Sequence, residues 1–256
     1  MKHAWYLGIN DTQVGQRAIL VGDPGRIDRL ADHLHKVERP PENRMLRTIS
    51  GDYNGVRITA AAFGMGAPIA AIVMHELAFL GVHSFVRIGT AMVLPPVTLG
   101  DYLVALDALP REGTSAAYGH QGPLITADPL LADHLHTATR ARSARVHTGR
   151  YCSYDAFYRD MFALDDDANV ARTHALMREH DILALDMESS ALLCVARALG
   201  VRAGVLCAAT VDAMSQAKLD SAAMREAETV LFSAALDALS CTPAPTSTAP
   251  IGAICA

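Results

Sequence analysis

Four short segments place charged or hydroxyl-bearing residues where an apolar run meets a turn. The first, Gly22-Asp23-Pro24-Gly25-Arg26, follows the run Ala18–Val21 and precedes a helical pattern. Backbone N–H groups at a helix start carry partial positive charge, so such a turn can receive an anion; Arg26 would add a full charge with bidentate reach. Gly22 and Gly25 would leave room for its close approach. The turn has neither the GxxxxGK[ST] nor the GxGxxG spacing of the common phosphate loops. The second segment is Arg87-Ile-Gly-Thr90, at the end of a strand pattern that starts at Phe85. An arginine there is costly to desolvate unless an anion or a carboxylate faces it, and Thr90, just past the strand, can donate its hydroxyl to the same anion. The third is Asp186-Met187-Glu188, at a strand-to-helix junction, where a carboxylate is also a favourable helix-start charge. The fourth is Asp212, beyond the last strand pattern, which is placed either to move a proton or to cap a turn.

To meet, these segments need a scaffold that gathers distant loops. Strand patterns occur at Ala18–Val21, Val56–Ala62, Phe85–Ile88, Tyr102–Leu106, Ile182–Leu185 and Arg202–Ala209. Helical patterns occur at Arg26–His35, Ile69–Leu80, Ala127–Arg140, Glu188–Leu199 and Lys218–Leu239. The alternation predicts an α/β fold, a single domain with a central mixed, mostly parallel β-sheet flanked by helices. Loops in such sheets gather beyond the strand carboxyl ends, so the turn after Val21, the Arg87–Thr90 segment and Asp212 are expected to converge. Ile58–Val82 is apolar enough to mimic a membrane span, but Gly64, Gly66, Pro68, His75 and Glu76 interrupt it and predict a buried strand followed by a core helix. The domain is expected over residues 1–240. Residues 241–256, rich in Pro, Ser and Thr, are expected to form a disordered tail.

At 256 residues, 51% hydrophobic and 19% charged, the chain can bury one sizeable core. A net charge of −5 argues against a nucleic-acid partner, which needs a basic face, yet leaves room for a small anion opposed by local arginines. The five cysteines are spread out with no CxxC pair, which predicts reduced, mostly buried thiols in a cytoplasmic protein. The first residues lack the apolar core of a signal peptide. Asp165-Asp166-Asp167 reads as a solvated loop or helix start. His33/His35 and His134/His136, spaced i,i+2, fall on different helix faces and do not suggest a shared metal.

Taken in order, Gly-Asp-Pro-x-Arg early, Arg-Ile-Gly-Thr in the middle and a late Met-Glu-Ser junction resemble the nucleoside phosphorylase family. The branch is the one holding uridine phosphorylases and hexameric purine nucleoside phosphorylases, and the resemblance runs from about Tyr6 to about Leu239. It implies a phosphate site at Gly22, Arg26, Arg87 and Thr90, with Arg44 donated by a neighbouring subunit. It implies a ribose site at Met187 and Glu188, with Phe157 stacking on the base and Tyr6 standing where the family has a histidine for a neighbour's ribose 5′-hydroxyl. Asp212 matches the aspartate that protonates the leaving base in purine-handling relatives, a role that requires a raised pKa.

The reaction implied is phosphorolysis of an N-glycosidic bond, with Arg87, Glu188 and Asp212 as the catalytic residues and inorganic phosphate as co-substrate. No other cofactor is implied. The base reads as purine-type, because no Gln-x-Arg follows Phe157 as it does in uridine phosphorylases; uridine is the alternative, and Arg159 is a further candidate for a base carbonyl. A hydrolytic nucleosidase on the same fold and a non-catalytic nucleoside-binding protein are the other readings. Ala91-Met92 replaces the usual small residue and glycine, which implies a base pocket that is either smaller or shaped for an unusual base, and Asp186 stands where glutamate is common. Ile69 and Met45 occupy positions that supply oxygen ligands to a monovalent cation in some relatives, so no metal is implied. The resemblance also implies a homo-oligomer, a dimer or a hexamer built as a trimer of dimers, with sites shared between subunits.

Overall fold

A computed structural model describes residues 1–161 and 167–243. The first half runs β1 (Arg17–Val21), α1 (Gly25–Ala31), β2 (His35–Glu38), β3 (Arg47–Tyr53), β4 (Val56–Ala62), α2 (Ala67–Leu80), β5 (Ser84–Val93) and β6 (Tyr102–Arg111). Then come α3 (Gly113–Ala117), β7 (Ile125–Thr126), α4 (Pro129–Arg140), β8 (Val146–Tyr154), α5 (Phe157–Met161), α6 (Asp167–Glu179), β9 (Ile182–Asp186), α7 (Ser189–Leu199), β10 (Arg202–Asp212) and α8 (Ser221–Cys241).

The strands form one mixed sheet in the order β10-β6-β8-β9-β5-β1-β4-β3-β2, and β10 also pairs with β5. That extra pairing closes β10, β6, β8, β9 and β5 into a ring, with β1, β4, β3 and β2 extending from it. Parallel pairs β1–β4, β1–β5, β5–β10, β6–β8 and β8–β9 make up its two blocks, which join antiparallel at β10–β6 and β5–β9. The reactive ends therefore do not all leave one edge in one direction. Strand β9 arrives against β5 and overlaps it at two pairs only, Met92 with Leu185 and Val93 with Ala184.

Side chains alternate across a strand, and the buried strands use both faces. Phe85, Val205 and Cys207 pack with Met74 of α2 and Val195 of α7. Val86, Ile88 and Leu206 pack with Ile27 of α1, Leu135 of α4 and Leu236 of α8. A third, smaller cluster joins Met92, Cys152, Tyr154 and Leu185 to Met177 of α6. The interrupted apolar stretch is β4 and α2, as its glycines predict, and no helix among the described residues is long and apolar enough to cross a membrane.

Several expected boundaries shift. Helix α1 stops at Ala31, and His35 begins an edge strand instead of ending that helix. Strand β5 continues to Val93, because β10 pairs with it over its whole length, so Thr90 lies inside the strand. Cys241 completes α8 and is not part of a tail. The rest of that segment beyond residue 243, and Asp165 and Asp166, lie outside the described residues.

Candidate active site

Arg87 is only 6% exposed, so its charge must be met inside the protein. Its Nη2 donates to Glu188 Oε2 at 2.5 Å and lies 3.1 Å from Asp186 Oδ2, while Nη1 donates to Cys207 Sγ at 3.0 Å. Nε, also buried, has no partner. The guanidinium lies back over Gly89, two residues on along the same face, where any Cβ would collide with it. Burial pulls the Arg87 pKa down, but Asp186, then Cys207 and Glu188, outweigh this and hold it well above the usual arginine value.

Both carboxylates come from the β9–α7 junction, where the strand turns into a helix with Glu188 at its N-cap. The Glu188 side chain does not cap its own helix. It reaches across to accept from Gly66 N at 2.7 Å, ahead of α2, where Gly66 has φ 102°. Asp186 is fixed more tightly: Ser153 Oγ donates to Oδ1 at 2.6 Å, and Ser189 donates from its amide and its hydroxyl. Asp186 thus holds position, whereas Glu188 keeps one oxygen on an arginine and one on a loop amide. Met187 between them is half-buried.

The Gly22 turn departs from expectation. The Asp23 carboxylate accepts from Gly25 N at 2.8 Å, and Arg26 N donates to the Asp23 carbonyl at 3.1 Å. The first amides of α1 are therefore engaged within the turn. Gly22 has a packing reason for its identity, since a Cβ there would stand 2.8 Å from the Gly64 carbonyl. Arg26 is buried and its Nε donates to Glu228 Oε1 at 2.8 Å, on α8. Sequence reading missed Glu228, Cys207, Gly66 and Ser153, because each is brought in by a neighbouring element and none sits in a motif.

Arg44 is exposed, with φ 51°, and its guanidinium lies over the Tyr6 ring at 5.1 Å from the centroid. Tyr6 is anchored by its backbone, donating to Glu76 Oε1 at 2.7 Å and accepting from Asn43 Nδ2 at 2.9 Å. These two residues meet each other on the surface, beside the exposed side chains of Trp5 and Met45.

Asp212 reverses its expected electrostatics. Its Oδ1 accepts from Ser215 N at 2.7 Å, Ser215 Oγ at 2.8 Å and Met214 N at 3.0 Å. These bonds, the Ser215 amide first, favour the carboxylate and lower its pKa instead of raising it. Asp212 ends β10 beside Val93, four residues past Gly89, or roughly 13 Å along the strand. Half-buried Thr90 pairs with Ala208, Phe157 packs partly buried against the cluster containing Met92 and Leu185, and Arg159 is exposed.

The profile of the Phosphorylase superfamily matches residues 16–240. A guanosine phosphorylase of Halorubrum lacusprofundi is 35% identical over 208 residues, covering 81% of this chain and 82% of that protein. A uridine phosphorylase of Salmonella typhimurium is 28% identical, covering 88% and 92%. The crystal structure of uridine phosphorylase from Vibrio fischeri ES114 complexed with 6-hydroxy-1-naphthoic acid superposes with TM-score 0.84 at 28% identity, covering 93% of this chain and 96% of that one. The buried Arg87–Asp186–Glu188 cluster sits within the matched region, and the chain belongs to the phosphorylase superfamily as a member of its nucleoside phosphorylase family.

Proposed function

We propose that this nucleoside phosphorylase releases a purine-type base, with (deoxy)ribose 1-phosphate as the second product. The observation that carries the catalytic reading is the direct Arg87–Glu188 contact, a buried cation suited to phosphate against a carboxylate suited to sugar hydroxyls. Phosphate entering beside Gly22, Arg26, Arg87 and Thr90 replaces Glu188 as the partner of Arg87. Glu188 then turns its freed oxygen to the ribose 2′- and 3′-hydroxyls and steadies the positive charge that develops at the anomeric carbon. Met187 packs on the sugar and Phe157 on the base. Each fixed electrostatic contact of this kind supplies about 2–4 kcal/mol to transition-state stabilisation.

The 35% identity to a guanosine phosphorylase supports the purine reading. Asp212 then protonates the base only after releasing Ser215, since as a capped carboxylate it is an acceptor. Uridine is the second reading, favoured by the fold match at TM-score 0.84 and by that low pKa. Phosphate is the only small co-reactant, and the enzyme works in the cytoplasm as a homo-oligomer, Tyr6 and Arg44 of one subunit completing the site of the next. Base release across a nucleoside panel, with and without phosphate, is the test. Guanosine or inosine should exceed uridine at least tenfold in kcat/KM and only with phosphate; a uridine preference reverses the base assignment, and equal turnover without phosphate makes the enzyme a hydrolase.

A further inference from the structure

A cavity of about 560 Å³ opens between the carboxyl ends of β6 and β8 and helix α6. It is lined by Arg111, Tyr154, Arg159, Arg172, Thr173 and Leu176, among others. Its position relative to the Arg87 cluster follows from strand alternation. Ser153 points towards α7, where its hydroxyl bonds Asp186 and the Ser190 amide. Tyr154, the next residue, points to the other face and packs with Met177 of α6. The two sites therefore lie on opposite faces of β8.

The chemistry of the lining is that of an anion receptor. Guanidinium groups are planar, permanently charged forks that match phosphate and carboxylate oxygens. Among the described residues no carboxylate lies within ion-pair distance of Arg111 or Arg159, although the chain as a whole carries a net charge of −5. The neighbouring Asp155 is engaged by the Gly113 amide at 2.9 Å. Deep in the same wall, Tyr154 is 4% exposed, and its hydroxyl lies near Cys152 and Thr173 without a hydrogen bond of full geometry. A buried phenol without such a bond is costly, and an anion oxygen in the cavity would supply the acceptor it lacks. Thr173, 6% exposed, adds a second hydroxyl to that wall.

We propose that this cavity is a second ligand site that binds a phosphate monoester, held by Arg111 and Arg159 at the mouth and by the Tyr154 hydroxyl within. Calorimetric titration with glycerol 2-phosphate, phosphate omitted, in the absence and in the presence of saturating nucleoside, tests it on the whole protein. One molecule per protomer should bind, with affinity falling at least tenfold in Arg111→Ala/Arg159→Ala and several-fold in Tyr154→Phe. Both arginines are exposed, so the double variant should keep the wild-type melting temperature. Absence of binding, unchanged affinity in the double variant, or displacement of the ester by nucleoside would each overturn the proposal, the last by assigning the cavity to the substrate site.

Discussion

Arg87 illustrates how one residue holds two roles in tension. Its charge is balanced by Asp186 and Glu188, and Glu188 is the group that must turn to the sugar. Arg87→Ala should leave two buried carboxylates without a cation and cost about 3–5 kcal/mol, measured by urea denaturation. Arg87→Lys keeps a charge for the two carboxylates, which share Nη2, but loses the second nitrogen and the planar fork that matches phosphate, so kcat/KM for phosphate should fall far more than stability does. A sharper probe keeps the arginine. In Gly89→Ala the new methyl group displaces the guanidinium, and a shift of about 1 Å should lower kcat/KM about 100-fold at unchanged charge. An unaltered rate in Gly89→Ala would mean that the position of Arg87 over the strand is unimportant. Sequence alone pointed to a buried arginine in need of an anion or carboxylate. It could not choose between them, since the partners lie about a hundred positions later, on a strand arriving from the opposite direction.

At the scale of elements, the long strands and helices were legible because each is dominated by apolar residues at the strand or helix period. Strands β4, β5 and β10 and helices α2, α7 and α8 all contain the core of the expected pattern, while β5 and β10 run further at their carboxyl ends and α8 is displaced by two to three residues. Strands β3 and β8 were not legible, because Arg47-Thr-Ile-Ser-Gly and Val146-His-Thr-Gly-Arg mix polar and small residues whose fitness for a strand depends on the neighbour they pair with. In β8, Gly149 is small because a Cβ would stand 2.5 Å from Leu183 Cδ1. Helix α4 was legible but its start was off by two residues, since Asp128 caps it by accepting from Leu131 N at 2.9 Å. Asp128→Ala should cost about 1 kcal/mol in thermal or urea unfolding and leave kcat/KM unchanged; a change in rate would tie α4 to the site.

For the whole molecule, two predictions concern pH and assembly. Burial depresses the pKa of both His75 and His83 below the model-compound value of 6.5, with Arg17 and Arg202 adding to the effect at His83. The unfolded chain then takes up protons that the folded chain refuses. Stability should be full above about pH 6.5 and decline as the pH falls through the depressed folded values. His83→Gln should lessen that decline in melting temperature, and an identical pH slope would remove His83 from the cause. If Tyr6 and Arg44 act across a subunit boundary, mixing inactive Arg44→Ala chains with inactive Glu188→Ala chains should restore part of the activity through the sites that inherit neither change. No recovery on mixing would place each site within one chain.

The sequence by itself determined the α/β class, the course of its principal strands and helices, and the nucleoside phosphorylase family, because those reside in local apolar period and in motif order. The tertiary structure alone decided that the sheet closes on itself through β5 and β10, that Arg87 is met by Asp186 and Glu188 while Arg26 is met by Glu228, and that Asp212 is held as an ionised cap. Charge pairing and pKa depend on which groups lie within a few ångströms in a low-dielectric interior. That distance is set by the packing of elements far apart in the chain.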